Sequence, residues 1–84
     1  MSSARSPICR TVVLRRVEPD KRMARFYNLM VERDLFGTVR LVRNWSRIGT
    51  FGQERAEEYE TEIEARQVLE ALARAKRRWG YRDL

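Results

Sequence analysis

Histidine is absent from the 84 residues, and cysteine occurs once, at Cys9. Without histidine there is no Ser-His or Cys-His couple to activate a nucleophile. The commonest general base is missing, and no zinc site built on histidine or on several cysteines can be assembled. A lone cysteine forms no internal disulfide, which agrees with a reducing compartment. Cys9 reads as a small apolar residue near the start of a strand. No stretch approaches the ~20 continuous apolar residues of a membrane span, and Met1-Ser2-Ser3-Ala4-Arg5-Ser6-Pro7 lacks the apolar centre of a signal peptide. The expectation is a cytoplasmic protein with no membrane partner, with residues 1–9 as a flexible tail and residues 10–84 as one domain.

Lysine is scarce as well. Of 18 basic residues 16 are arginine, and only Lys21 and Lys76 are lysine. Arginine carries a rigid fork that suits phosphate and stacks on flat rings. The net charge of +6 is unevenly spread: residues 1–53 hold 11 basic and 4 acidic groups, 54–70 hold 2 and 7, and 71–84 hold 5 and 1. A hydrophobic content of 43% points to a packed fold rather than disorder, with the thin core of so short a chain.

Branched and apolar residues over 10–17 predict a first strand. Glu18-Pro19-Asp20-Lys21 follows as a turn. Residues 24–33 predict a second strand, with Tyr27, Leu29 and Val31 on one face and Phe26, Asn28 and Met30 on the other. Asp34-Leu35-Phe36-Gly37 reads as a hairpin connection, residues 38–48 as a third strand, Gly49-Thr50-Phe51-Gly52 as a tight turn, and Gln53–Glu60 as a fourth strand. The period then changes. Thr61-Glu62-Ile63-Glu64 fits a capping box, and Ala65, Val68, Leu69, Leu72, Ala75 and Trp79 form an apolar stripe at helical spacing. Glu62–Arg66 and Glu70–Arg74 are i,i+4 pairs in the favourable order, and Gly80 stands where a C-terminal cap belongs. The fold class is α+β: a twisted four-stranded antiparallel sheet with one C-terminal helix packed across a face.

On the third strand, parity puts Leu41, Arg43, Trp45 and Arg47 on one side and Val42, Asn44, Ser46 and Ile48 on the other. A tryptophan between two arginines on one face offers a stacking surface with guanidinium groups in reach of phosphates. The bland counterpart is a Trp packed on the sheet with the Arg stems covering it. A second basic, aromatic cluster is Lys76-Arg77-Arg78-Trp79-Gly80-Tyr81-Arg82. There the stripe assigns Trp79 to the core, Arg77 and Arg78 to solvent, and Tyr81 to either a plug or a contact. The glutamates at 54, 57, 58 and 60 are the remaining option for Mg²⁺ chemistry, but parity separates Glu57 from Glu58 and Glu60, and a solvated strand face accounts for them. No catalytic constellation is present and no cofactor or metal is expected.

Asn44-Trp45-Ser46-Arg47-Ile48-Gly49-Thr50 resembles the signature of the WGR domain. Arg25-Phe26-Tyr27-Asn28-Leu29, Gly52-Gln53, Glu64-Ala65 and Lys76-Arg77-Arg78-Trp79-Gly80-Tyr81 resemble further family positions in the same order, so the likeness covers roughly residues 10–82. The resemblance implies a twisted antiparallel sheet crossed by a helix. In DNA-damage-responsive poly(ADP-ribose) polymerases this domain binds DNA near strand breaks, its signature Trp packing on a terminal nucleotide and its signature Arg supporting the contact. The resemblance places those roles on Trp45 and Arg47. The chain departs from the pattern at Ser46, where the family carries glycine. Parity turns Ser46 away from Trp45 and Arg47, so its extra atoms bear on the packing beneath the strand.

The resulting expectation is a non-catalytic nucleic-acid-binding module for DNA backbone or strand ends. Trp45 would stack, Arg47 and Arg43 would contact phosphate, and Arg77, Arg78 and Tyr81 would be secondary contacts. The alternatives are a protein-interaction module or homodimer without nucleic acid, and a metal-dependent nuclease.

Overall fold

Alternating branched and apolar residues build the first strand, β1 (Ile8–Glu18). A single 3-10 turn over Pro19–Lys21, ending in Arg22 at φ 50, returns the chain into β2 (Met23–Arg33). Next come β3 (Val39–Arg47), β4 (Gln53–Tyr59), the helix α1 (Glu62–Arg78) and a two-residue strand β5 (Arg82–Asp83). The computed structural model describes residues 8–47 and 49–84. Residues 1–7 of the expected tail, and Ile48 at the end of the expected third strand, lie outside the described residues.

The strands form one antiparallel sheet in the order β4-β3-β2-β1-β5. The α+β architecture is as expected, with β5 added beyond the four strands read from the sequence. β5 pairs beside Leu14 and Arg15 and is closed by the Leu84 amide donating to the Val13 carbonyl at 3.0 Å. Two residues are too few to show a period, so this edge was invisible to pattern reading.

Register puts Val12, Leu14, Tyr27, Leu29, Val31, Val39 and Leu41 on one face, where α1 covers them with Ala65, Leu69 and Ala73. The helix starts as the sequence predicts: the Thr61 hydroxyl accepts from the Glu64 amide at 3.1 Å. Its pairs follow the sequence in part. Arg66 reaches Glu62 at 3.2 Å, whereas Glu70 turns to Arg10 on β1 at 2.8 Å instead of meeting Arg74. A bulge at Cys9 shifts the β1–β2 register, and the Cys9 carbonyl accepts from Arg66 Nη2 at 2.6 Å, tying that irregularity to the helix. Burial, together with Glu62, pushes the Cys9 thiol up, away from a reactive thiolate.

The helix ends in a Schellman reversal. Gly80, at φ 95, donates to the Arg77 carbonyl at 3.1 Å, and the Tyr81 amide donates to the Lys76 carbonyl at 3.1 Å. This reversal corrects one expectation. Trp79 lies on the helical stripe by spacing, yet it is 73% exposed. The chain leaves the helix at Trp79, and Tyr81, turned back by Gly80, is the aromatic that is buried in the core.

Several carboxylates are held low by their partners. Asp34 accepts from the amides of Thr38 and Phe36 at 2.9 and 2.8 Å, which hold its carboxyl below the ordinary value of 3.8. Arg10 lowers Glu70 below 4.5, and Arg77, donating from Nε and Nη2, lowers Asp83. A carboxyl whose folded value lies below its unfolded value stabilises the fold above the unfolded value, and the contribution disappears as pH falls through the folded value. The urea midpoint is therefore expected to be level from neutrality down to about pH 5 and to drop below about pH 4. Asp34→Asn is expected to flatten part of that drop, and an unchanged acid profile would remove Asp34 from the account.

Candidate nucleic-acid interface

The site lies where β2 and β3 run past the C-terminal end of α1. Tyr27 and Trp45 are direct cross-strand partners, and their rings stack with centroids 5.8 Å apart and planes 13° from parallel. Tyr81 meets Tyr27 edge-on at 6.3 Å. Lys76, in the last turn of the helix, brings Nζ to 4.2 Å from the Tyr27 centroid and 5.4 Å from that of Tyr81.

Beside these rings opens a cleft of about 550 Å³. Trp45, Tyr27 and Tyr81 form its aromatic wall. Arg25, Arg47 and Lys76 supply its charge, Thr50, Phe51 and Gln53 line it from the β3–β4 side, and Phe26 and Ser46 complete the lining. Among the described residues no aspartate or glutamate lines it. Burial lowers the Lys76 ammonium from its usual value, and the positive charges of Arg25 and Arg43 lower it further. An anion entering this cleft relieves that repulsion, and the adjacent rings accept a flat partner. The arrangement suits a phosphate joined to a base or sugar.

The sequence-read site residues separate in space. Trp45 is half-buried on Tyr27, Arg47 is exposed at the end of β3, and Tyr81 is buried with its ring on the cleft. Arg43 shares the Trp45 face but is mostly covered, its side chain 18% exposed and paired with Glu57 at 3.0 Å. Arg77 is fixed to Asp83 on the β5 side, and Arg78 is exposed outside the cleft. Arg43, Arg77 and Arg78 thus do not join Trp45 and Arg47. Trp45 lies on the helix-bearing face, partly buried against the core cluster.

Two cations of the cleft are not among the site residues that the sequence points to. Arg25 shares parity with Tyr27 on β2, a signal that was there to be read. Lys76 falls seven residues after Leu69, a cation continuing an apolar stripe.

The chain matches the WGR domain family over residues 10–84. It belongs to that family. The chain is also similar to the uncharacterized protein y4dW of Sinorhizobium fredii, with 42% identity over 67 residues covering 80% of this chain. This WGR domain spans 33% of that relative's length. No solved structure matches the chain. The WGR domain is a binding rather than a catalytic domain, associated with nucleic acid in poly(ADP-ribose) polymerases. Among the described residues no helix is long and apolar enough to cross a membrane.

Proposed function

We propose that this WGR domain binds nucleic acid, DNA in the first place, in the cleft beside Trp45. Trp45 stacks on sugar or base, and Arg25, Arg47 and Lys76 take phosphate. The observation that carries this reading is the grouping of three cations with five aromatic residues in one cleft that, among the described residues, no carboxylate lines. Such contacts position a protein on a backbone or strand end and carry little base-edge information. Arg43, Arg77 and Arg78 act from outside the cleft, through the positive field of the domain rather than by direct contact.

The test is fluorescence anisotropy with a 5′-phosphorylated duplex over a salt series. Three neutralised phosphates give a log–log slope of about −3, and Lys76→Ala is expected to reduce its magnitude by about one. Absence of binding at roughly 50 mM salt, or a slope near zero, overturns the reading.

Leu35 and Phe36, 68% and 93% exposed on the β2–β3 turn, favour a second reading. A protein partner or a second copy would dock at the end of β3 opposite Trp45. Light scattering of the isolated domain separates the two: a stable dimer abolished by Phe36→Ser supports the second reading.

A further inference from the structure

Phe51 is 99% exposed, more than any other large apolar side chain among the described residues. It sits in the β3–β4 connection, and that connection is held. The Thr50 amide donates to the Arg47 carbonyl at 3.0 Å, and Thr50 Oγ1 donates to the same carbonyl at 2.7 Å. Thr50 Oγ1 also accepts from the Arg47 amide at 3.3 Å, and Gly49 makes the turn at φ 81. Arg47 and Phe51 are therefore presented as one unit, a cation at the strand end and an unburied ring four residues on. Exposure alone does not single Phe51 out, since Phe36 is also exposed on the opposite turn. What differs is the setting. Phe51 lines the cleft with Arg25, Arg47 and Lys76, whereas Phe36 does not.

We infer that Phe51 is a stacking wedge for an unpaired terminal base, so that the cleft selects frayed or overhanging strand ends over closed base pairs. The inference rests on the nucleic-acid reading above. A cleft of about 550 Å³ is in the size class that holds one small ligand, and so takes one nucleotide rather than a stacked pair. Trp45 supplies one aromatic surface of that space and Phe51 another, while the three cations hold the phosphate of the captured nucleotide. An unpaired base enters without the unpairing cost that a closed terminal pair imposes.

The experiment compares three DNAs of one sequence: a blunt 5′-phosphorylated duplex, the same duplex with a mismatched terminal pair, and a closed hairpin without ends. A 2-aminopurine at the mismatched terminus reports stacking. Wild type is expected to bind the frayed end about tenfold more tightly than the blunt end, with quenching of the 2-aminopurine. Phe51→Ala is expected to lower frayed-end affinity more than blunt-end affinity, so that the preference and the quenching disappear, and Phe51→Trp to keep both. Equal binding of frayed and blunt ends by wild type, or an equal loss on both DNAs in Phe51→Ala, overturns the wedge and leaves the nucleic-acid reading standing. No binding of any of the three DNAs overturns both.

Discussion

Trp45→Ala is expected to weaken binding of a 5′-phosphorylated duplex by about tenfold or more, the loss that follows removal of one stacking platform. The indole has two tasks at its position on β3. One surface lies on Tyr27 at 5.8 Å, and the rest lines the cleft beside Arg47. Alanine removes the stacking surface and leaves Arg25, Arg47 and Lys76 in place, so the salt slope is expected to persist while affinity falls at every salt concentration. Trp45→Phe keeps a ring opposite Tyr27 and is expected to recover most of the loss. The paired control is Trp79→Ala. Trp79 is 73% exposed and outside the cleft, so its loss is expected to leave affinity within about twofold. Anisotropy titrations check all three, with melting curves to show that each variant is folded. Unchanged affinity in Trp45→Ala removes the stacking role, and equal losses at Trp45 and Trp79 point to a diffuse basic surface instead.

Leu69→Ala is expected to lower unfolding free energy by about 2–5 kcal/mol, the range for deleting a buried leucine from a packed core. Leu69 is fully buried between Ala65 and Ala73 on α1 and belongs to the same cluster as Leu14, Leu29 and Leu41 from three strands. Its flanking alanines are too short to close the gap. In a chain of this length total stability is of the order of 5–10 kcal/mol, so such a loss leaves a small margin at ordinary temperatures. Urea unfolding followed by circular dichroism measures it. Leu35→Ala, at a leucine 68% exposed on a turn, is expected to stay within about 0.5 kcal/mol of wild type. A loss below about 1 kcal/mol at Leu69 would mean the helix is not seated as described.

The elements with strong periods are legible in the sequence. Alternation over β1 to β3, the turn residues before β4 and the change to helical spacing after Thr61 define four strands and a helix, and the Thr61 and Gly80 caps act where they are expected. What stayed hidden depends on which strand lies beside which. Parity correctly groups Arg43 with Trp45, but Arg43 meets Glu57 only because β4 pairs with β3 in the register that sets Arg43 opposite Arg55. The grouping of Arg25 with Arg47 likewise needs the β2–β3 register, in which the two are direct partners. Trp79 was misplaced because helical spacing says nothing about where the underlying sheet ends. Lys76 was passed over because a cation within a basic segment looks solvated until an aromatic pair is seen beneath it.

The reversal at Gly80 makes the binding cleft depend on helical phase. Each residue of a helix advances the surface by about 100° and 1.5 Å, so Lys76 faces the Tyr27 ring only while the count from Thr61 is kept. One residue inserted between Ala73 and Lys76 would swing the lysine off the ring and carry the buried Tyr81 away with it. Length changes near this terminus therefore move Lys76 and Tyr81 together, so a change in helix length reshapes the cleft while keeping every residue type that lines it.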